Sequence, residues 1–453
     1  MTLIPDSTRA QQVIDDLTKA GVQLVEFIYV DYDNIARGKT VNIKGLAHYI
    51  VDGVGLTLAQ FAATARDEVL DVPNMTAVGE SRMVPDLDTV RILPHEPRVA
   101  TMMVNHLTQD QAPYVADPRV ALQTVVAHAH EMGYTLKVAF ENEFMLRNST
   151  TGVPANDNLF ASTTAMDFGY VFIFDILNNL EAMQITVDKY YPEAGTGQHE
   201  LPLRPQSALR AADEEVWFQR IVKATVKQHG MTATFAPKPL LNTEGSGCHI
   251  HLSLWDAQGQ NVFADATDAQ GLSQTGYQFV AGVLDHIRGL MALTAASVNS
   301  YQRLQPGEWS SAYATFGRDN REAAIRIPSA QWHDATGTSN IELKASDGTE
   351  NPYLALAGFI AAGLDGISRQ LEPRTPVDVD PATLTDAERA ALGVTRLPEN
   401  LAAAISALKT DDFFTKTFGQ TLIAAYATVK EREVAVYANM SPVDIATTHA
   451  SIY

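Results

Sequence analysis

The architecture of the chain is most clearly indicated by the segment Leu136-Lys-Val-Ala-Phe-Glu-Asn-Glu-Phe-Met-Leu146. Apolar and polar residues alternate along it, which is typical of a β-strand with one face in the core. The core face would carry Val138, Phe140, Asn142 and Phe144. Glu141 and Glu143 would then point together from the other face, with their side chains about 7 Å apart. Such a pair indicates either a solvated strand face or a cation or acid/base site.

The same spacing of polar side chains recurs in two later segments. His249 and His251 would share one face of a strand, and Glu342 and Lys344 would share one face of another. A single histidine on a strand is more often a hydrogen-bonded core residue than a metal ligand, but the repetition favours a site. Cys248 would point away from both histidines, so we expect it to be a packing residue.

A further pair of carboxylates, Glu193 and Glu200, is separated by a glycine-rich turn. Carboxylates that converge with one or two imidazoles repel one another strongly unless divalent cations are bound. Oxygen ligands without a thiolate favour Mg²⁺ or Mn²⁺ over zinc, and a nitrogen ligand keeps Mn²⁺ acceptable. We therefore expect a site for Mg²⁺ or Mn²⁺.

Arginines accompany these acids. Arg321 and Arg326 flank a short apolar segment, and Arg303 lies upstream of them. Arginines are often surface ion-pair partners, but guanidinium groups also bind phosphate and carboxylate oxygens. Divalent cations together with arginines are what phosphoryl transfer requires. The residue types alone therefore predict a metal-dependent, nucleotide-using enzyme and leave its substrate open.

Composition narrows the partners and the compartment. The chain has 453 residues, a formal net charge of -20 and one cysteine. An excess of acids argues against nucleic-acid and anionic-membrane surfaces, which are bound through Lys and Arg. The sequence lacks a signal-peptide pattern and an apolar run long enough to span a membrane. We therefore expect small molecules or other subunits as partners. A lone cysteine forms no intramolecular disulfide, so we expect a cytoplasmic protein.

The first part of the chain predicts a helix followed by a hairpin. Ser7 is a plausible N-cap for a helix that ends near Gly21. Residues 22–30 are rich in β-branched and aromatic residues, and turn residues at 31–34 separate them from a second strand at 36–41. A first domain is expected to end near residue 105.

The second part alternates long helical patterns with short strands, which predicts an α+β fold. Residues 373–400 are proline-rich and acidic, and they predict a surface excursion. Asn351 followed by a proline is a favourable helix start. The long helical patterns lie at 119–132, 207–229, 274–296 and 352–370.

Taken in order, these motifs resemble those of the glutamine synthetase family across nearly the whole chain. The matching segments are Glu141–Glu143, Glu193–Glu200, Gly245–His251, Asn299–Arg303, Asn320–Pro328 and Ile341–Leu354. The resemblance implies a β-grasp N-terminal domain at 1–105 and a catalytic domain at 106–453 with a curved antiparallel sheet flanked by helices. It also implies a homo-oligomer of stacked rings, with a dodecamer expected, and active sites between neighbouring subunits.

The resemblance assigns roles position by position. One metal would be held by Glu143, Glu193 and Glu200, and the other by Glu141, His249 and Glu342. The expected nucleotide-binding residues are His251, Ser253, Arg321 and Arg326, and the glutamate-binding residues are Glu244, Gly245, Arg303 and Lys344. The implied reaction uses ATP to phosphorylate the γ-carboxylate of L-glutamate, after which an amine attacks the γ-glutamyl phosphate. Its catalytic residues would be Arg303, Glu308, Trp309 and Arg321.

Several departures from the family pattern concern the amine that accepts the γ-glutamyl group. Two aspartates that glutamine-forming bacterial members carry are missing from 58–62 and 79–83. Trp309 stands where those members carry the acid that deprotonates ammonium, and Glu308 lies one residue earlier. An indole suits an organic group better than a bare ammonium ion. The expected acceptor is thus a small organic amine, with an ammonia-using enzyme and a non-catalytic family member as alternatives.

A further departure affects the glutamate and nucleotide positions. Asn340 and Lys344 stand where the family carries two arginines. Lys344 keeps a positive charge but cannot bind a carboxylate or phosphate with the two parallel hydrogen bonds of a guanidinium group.

Overall fold

The computed structural model of the chain describes residues 3–157, 159–372 and 374–453. In chain order its helices are α1 (Ser7–Lys19), α2 (Leu46–Asp52), α3 (Pro118–Glu131), α4 (Thr163–Ala182), α5 (Ala208–Gln228), α6 (Gln274–Thr294), α7 (Ser300–Arg303), α8 (Pro352–Ser368), α9 (Asp386–Ala391), α10 (Leu401–Thr410), α11 (Asp412–Phe418), α12 (Gln420–Tyr437) and α13 (Pro442–Ile452). None of the helices in these ranges is long and apolar enough to cross a membrane.

The strands form two sheets, which confirms the α+β prediction. They are β1 (Leu24–Val30), β2 (Ala36–Asn42), β3 (Val54–Thr57), β4 (Glu80–Pro85), β5 (Arg91–Ile92), β6 (Val99–Leu107), β7 (Thr135–Asn148), β8 (Tyr191–Pro192), β9 (Gln198–Pro202), β10 (Met231–Thr234), β11 (Cys248–Trp255), β12 (Tyr313–Arg318), β13 (Ala323–Ile327), β14 (Ile341–Leu343) and β15 (Thr395–Arg396).

The N-terminal sheet has the strand order β2-β1-β6-β4-β3, with β5 paired to β6. The predicted hairpin is confirmed, since β1 and β2 pair antiparallel around the turn. That turn is held by the side chain of Asp31, whose Oδ1 accepts hydrogen bonds from the backbone N–H of Asp33 at 3.0 Å and of Ile35 at 2.9 Å. Asn34 adopts a positive φ of 60°, which asparagine tolerates better than most residues.

The cap of the first helix differs from the sequence prediction. Asp6, not Ser7, is the N-cap, and its Oδ1 accepts from the backbone N–H of Thr8 and Arg9 at 3.0 Å. Ser7 is the first helical residue instead. Both residue types are good caps, so sequence preference alone does not separate neighbours. Gly21 follows the helix with a φ of +81°, as expected for a helix exit.

The larger sheet is curved and has the strand order β15-β12-β13-β14-β11-β7-β9-β8, with β10 paired to β7. Its pairs are antiparallel except β12 and β13, which pair in parallel. The long helices predicted in this part are confirmed as α3, α5, α6 and α8. Asn351 caps α8 as predicted, because its Oδ1 accepts from the backbone N–H of Tyr353 and Leu354.

The segment after α8 is more than the predicted surface excursion. Within 374–400, strand β15 pairs with β12, and the backbone N–H of Val377 donates to the carbonyl of Phe316 at 2.8 Å. The exposed edge of β12 needs backbone partners, and this segment supplies them. Pro373 lies outside the described residues.

Candidate active site

The predicted ligands lie on one face of the larger sheet. In cross-strand register, the facing pairs are Glu143 with Glu200, Glu141 with His249, and Glu342 with His251. The opposite face of the same strands is core, where Phe140, Phe144 and Ile250 are at most 1% exposed. The alternation that predicted this arrangement is confirmed, and it places the polar side chains of four neighbouring strands, β9, β7, β11 and β14, side by side.

Cys248 lies on the core face, as predicted. It is buried, and its Sγ contacts Asn142 Oδ1 at 3.4 Å. Burial raises the pKa of the Cys248 thiol well above its ordinary value, and the nearby carboxylates add to that effect. A neutral thiol packed in this way is neither a nucleophile nor a metal ligand.

Glu143, Glu193 and Glu200 form the first acidic group, with one oxygen from each lying within 4.8 Å of the others. Glu143 Oε2 accepts from the backbone N–H of Gly247 at 2.9 Å and from Gln198 Nε2 at 3.0 Å. Glu200 is 2% exposed, and its Oε1 has no hydrogen-bond partner among the described residues. A buried, unpartnered carboxylate oxygen beside two other carboxylates fits a cation ligand.

Burial and like charge affect the protonation of this group. Burial raises the pKa of Glu143, and Glu193 raises it further. Burial also raises the pKa of Glu200, with added contributions from Glu141 and Glu143. These carboxyls therefore hold protons more readily than exposed ones, and a bound cation would displace those protons.

Glu141, His251 and Glu342 form the second group within 4.8 Å. His249 adjoins it, because its Nδ1 lies 3.4 Å from both Glu141 Oε2 and Glu342 Oε1. The structure thus brings both imidazoles to these carboxylates, whereas the sequence assigned only His249 to the metal. Burial acts to raise the pKa of Glu342, but Lys344 and the two imidazoles outweigh it and hold that pKa below its usual value.

The two histidines have different partners. His251 Nδ1 lies 2.8 Å from Asn340 Oδ1, and its Nε2 is buried without a hydrogen-bond partner among the described residues, 3.4 Å from Glu141 Oε2. His249 Nε2 instead accepts from Arg303 Nη2 at 3.1 Å. Burial and Lys344 lower the pKa of His249 to about 4, so its imidazole is neutral. Each ring therefore has one nitrogen fixed by a neighbour and one directed at the carboxylates.

Residues expected to bind glutamate lie beside this group. Arg303 is 4% exposed, and its Nη1 donates to the Ser346 carbonyl at 3.0 Å. A Cβ on Gly245 would lie only 2.8 Å from Arg303 Cγ. Glycine at this position therefore leaves room for the Arg303 side chain. Lys344 is buried with its Nζ 3.6 Å from Glu342 Oε1. Glu244 is exposed on the preceding loop, away from these contacts.

The residues expected to bind the nucleotide do not all lie in one place. Ser253 lies on β11 beyond His251 and accepts from Trp255 Nε1 at 2.9 Å. Arg326 Nη1 donates to Glu342 Oε2 at 2.5 Å, which links it to the second acidic group. Arg321 is exposed in the turn between β12 and β13 and makes no ion pair within the described ranges.

Glu308 and Trp309 lie on the loop between α7 and β12. Glu308 Oε2 is 3.4 Å from Lys238 Nζ. Trp309 is 70% exposed and has a positive φ of 56°, and its backbone N–H donates to Glu322 Oε1 at 2.8 Å. Ser311 also has a positive φ, of 69°. Positive φ at two non-glycine residues marks a strained loop, and within this chain the indole is not packed.

Other residues of the site were not predicted. Gln198 Nε2 joins Glu143 to the carbonyl of Gly245, and its place on the same face of β9 as Glu200 was a usable signal. Tyr191 faces Glu200 in the register of β8 with β9, and Lys189 Nζ lies 3.6 Å from Glu141 Oε1. Neither has a periodic pattern around it, so only the pairing of β8 with β9 reveals them.

Comparisons with known proteins agree with this geometry. Residues 9–114 match the family model for the glutamine synthetase N-terminal domain, and residues 115–447 match that for the glutamine synthetase catalytic domain. The chain is 32% identical over 450 residues to a glutamine synthetase of Halobacterium salinarum, covering 96% of this chain and 94% of the relative. It is 35% identical over 429 residues to the gamma-glutamylpolyamine synthetase GlnA3 of Streptomyces coelicolor, covering 93% and 92%.

The fold of this chain also matches that of a solved structure. A GmaS/ADP complex superposes with a TM-score of 0.83 at 30% identity, covering 95% of this chain and 97% of that one. The two-sheet fold, the acidic groups on one sheet face and these matches agree along nearly the whole chain. The chain therefore belongs to the glutamine synthetase family and is an ATP-dependent carbon–nitrogen ligase.

Proposed function

We propose that this ligase joins the γ-carboxylate of L-glutamate to a small organic amine through a γ-glutamyl phosphate. The observation that carries the proposal is the pair of acidic groups on one sheet face with Arg303 beside them. A relative named for a polyamine product, at 35% identity, supports an amine as the acceptor. The indole of Trp309, at the position of the family's ammonium-deprotonating acid, supports it as well.

Two divalent cations, Mg²⁺ or Mn²⁺, would be bound by the two groups. The unpartnered oxygen of Glu200 and the unpartnered nitrogen of His251 fit cation ligands. Glu143, Glu193 and Glu200 would hold the first cation, and Glu141, Glu342 and His249 the second. When bound, the cations would offset charge on phosphate oxygens. The geometry also admits His251 to the second position, which a pair of variants below distinguishes.

The remaining residues would orient the substrates. Arg303 and Lys344, with the backbone near Gly245, would hold the carboxylates of glutamate, and the Glu244 carboxylate would bind its ammonium group. His251, Ser253 and Arg326 would contact the nucleotide. Arg321, on its exposed turn, would reach the transferred phosphoryl group. Guanidinium groups suit this work because they bind anionic oxygens in two-point geometry.

The acceptor would enter beside Glu308 and Trp309. Glu308 would take a proton from the ammonium form of the acceptor, so that the free amine attacks the γ-glutamyl phosphate, and the indole face would contact its alkyl group. An ammonia-using glutamine synthetase is the second candidate, favoured by the relative of that name at 32% identity. A non-catalytic role is the third, and the retention of every expected metal-ligand type argues against it.

The test measures phosphate release that depends on ATP and L-glutamate with Mg²⁺ or Mn²⁺. The acceptors are ammonium, methylamine, ethylamine, isopropylamine, ethanolamine, putrescine and aniline, and product masses identify the amide. We expect at least one organic amine to exceed ammonium. Faster turnover with ammonium than with every organic amine would contradict the proposal and support an ammonia-using glutamine synthetase. No phosphate release with any acceptor would support a non-catalytic role. The Glu143→Gln variant controls for contaminating activity.

Quaternary structure and domain division belong to the same proposal. We propose a homo-oligomer of stacked rings, with a dodecamer expected, and domains at 1–105 and 106–453. Light scattering on the purified chain tests the ring assembly. A monomeric active enzyme would contradict active sites shared between subunits.

A further inference from the structure

An apolar surface lies on the outward side of α4 and on the segment before it. Its large side chains are each at least 42% exposed, and they belong to Leu159, Phe160, Tyr170, Val171 and Phe174. The opposite side of the same helix is packed, with Phe172 and Ile176 fully buried. None of the exposed residues belongs to the metal, nucleotide, substrate or acceptor sets proposed above, so the catalytic proposal leaves this α4 surface without a role.

The side chains of the α4 surface are continuous in space. The rings of Tyr170 and Phe174 have centroids 5.5 Å apart, and the ring of Tyr190 lies 6.4 Å from that of Tyr170. Tyr191, the next residue, has its ring centroid 6.2 Å from that of Phe160. A monomeric protein rarely exposes a contiguous apolar patch larger than a few hundred Å². The α4 surface is therefore a contact for another molecule.

The size and composition of the α4 surface fit a protein partner. Its five exposed side chains present roughly 600 Å² of apolar area, whereas one side of a standard stable interface buries about 800 Å². Asp167, Asp175 and Asn178 are exposed on the same helix and supply a polar rim. Because α4 has acids but neither lysine nor arginine, the surface does not suit an anionic membrane.

The order of residues along α4 is self-complementary. Asp167, Val171, Phe174 and Asn178 follow one another at helical spacings of four, three and four residues, so they form one stripe. The spacing is the same when the stripe is read in the opposite direction. In two antiparallel copies, Val171 of one copy thus faces Phe174 of the other. Asp167 faces Asn178, whose amide group donates to the carboxylate.

The antiparallel arrangement also keeps like charges apart. Two parallel copies would place Asp167 beside Asp167, and two facing carboxylates repel each other. In the antiparallel arrangement, Asp175 instead faces Tyr170, whose hydroxyl can donate to the carboxylate. The second oxygen of Asp175 already lies 2.9 Å from His229 Nε2. Each acid of the stripe and its rim therefore has a polar neighbour of suitable chemistry.

We propose that two copies of this chain meet at the α4 surface, with their α4 helices antiparallel about a two-fold axis between Val171 and Phe174. A two-fold contact uses the same patch on both copies, as the self-complementary stripe requires. In the stacked rings proposed above, this contact would join one ring to the other. Only that placement rests on the proposed ring assembly, because the pairwise contact does not depend on it.

The mass of the full chain in solution tests the contact. Light scattering after size-exclusion chromatography compares the wild type with Val171→Asp, which puts a carboxylate at the centre of the apolar stripe. We expect the variant to have half the mass of the wild type, a hexamer in place of a dodecamer. The matched control is Val443→Asp on α13, where the valine is 60% exposed against 66% for Val171, and its mass should not change. Melting temperatures show that both variants fold.

The outcomes separate the contact from the ring assembly. An unchanged mass in Val171→Asp, an equal loss in Val443→Asp or a monomeric wild type would overturn the contact. The α4 surface would then serve a different protein or a lipid. A wild-type dimer that Val171→Asp converts to monomers would support the contact and contradict the stacked rings.

Substitutions at Asn178 test the antiparallel register. Asn178→Asp places a carboxylate opposite Asp167, and we expect at least threefold weaker association on dilution. Asn178→Lys places an ammonium group there and should strengthen association by a similar factor. The control Glu181→Gln makes the same change in net charge at the exposed end of α4, beyond the stripe, and should have little effect. Equal effects of Asn178→Lys and Glu181→Gln, or no effect of Asn178→Asp, would contradict the register.

Discussion

Nδ1 of His249 lies 3.4 Å from both Glu141 Oε2 and Glu342 Oε1, while Nε2 of the same ring accepts a hydrogen bond from Arg303 at 3.1 Å. A neutral imidazole has one donor and one acceptor nitrogen, so acceptance at Nε2 places the proton on Nδ1, facing the carboxylates. A cation at Nδ1 must displace that proton. The position of Arg303 and cation binding by His249 are consequently linked.

The two histidines give the first prediction. We expect His249→Ala to weaken Mn²⁺ binding at the second acidic group at least tenfold, because its Nδ1 lies between two carboxylates. His251→Ala should mainly raise the KM for ATP. Calorimetric titration with Mn²⁺ and steady-state kinetics measure both. The reverse pattern would assign the second cation to His251, whose Nε2 lacks a partner among the described residues.

The first acidic group gives a prediction about affinity. Glu200→Gln removes a charge but keeps the shape of the side chain, and we expect at least tenfold weaker Mn²⁺ binding, equivalent to about 1.4 kcal/mol. The matched control is Glu181→Gln, an exposed position on α4. An equal loss of Mn²⁺ affinity in the two variants would show that the overall negative charge of the chain, and not ligation by Glu200, sets the affinity.

Cation binding should also depend on pH. The pKa values of Glu143 and Glu200 are raised by burial and by neighbouring carboxylates, so below those values the empty site holds protons. Because the cation requires carboxylates, its affinity should increase as pH rises through neutrality, and binding should release protons. Titrations in two buffers with different ionisation enthalpies count these protons. A binding enthalpy that does not depend on the buffer would contradict this.

Acceptor choice can be tested at Trp309. Trp309→Glu places a carboxylate at the position of the family's ammonium-deprotonating acid, and we expect the turnover ratio of ammonium to the best organic amine to rise at least tenfold. Trp309→Phe keeps an aromatic face and should change this ratio little. Both replacements have a Cβ, as tryptophan does, so neither removes the backbone strain of the positive φ at this position. An unchanged ratio in Trp309→Glu would place the acceptor elsewhere.

A buried ion pair gives a prediction about stability. Lys430 is fully buried, with its Nζ 2.6 Å from Asp33 and 3.7 Å from Glu433. Lys430→Met leaves the buried Asp33 carboxylate without its cation, which should lower the free energy of unfolding by about 3–5 kcal/mol. Chemical denaturation measures the loss. Lys416→Met, at a lysine that is 77% exposed, should cost little, and a similar small loss at Lys430 would contradict the expected burial effect.

Strand alternation predicted much of this molecule. It placed Glu141 and Glu143 on one face and Phe140 on the other, because a strand that borders a core leaves one periodic signal in the sequence. The first helix and the long helices α3, α5, α6 and α8 were equally readable from spacing, whereas the long helices α4 and α12 were not predicted. The choice between Asp6 and Ser7 as a cap was not, since neighbouring residues with similar preferences differ only in local geometry.

Contacts between distant segments were the least predictable. Lys189 and Tyr191 reach the carboxylates only because β8 pairs with β9, and no sequence pattern specifies that pairing. The segment after residue 373 looked like a surface loop because its prolines and acids predict turns. It nevertheless contributes β15, since the edge of β12 requires hydrogen-bond partners from outside its own neighbourhood.

The side chain of Asn351 also bears on the order of folding. Its Oδ1 caps α8 locally, whereas its Nδ2 donates to the carbonyl of Asp31, 320 residues away in the chain, at 2.9 Å. Local contacts form early, and contacts across such a separation wait for loop closure. The cap can thus exist before the N-terminal sheet docks.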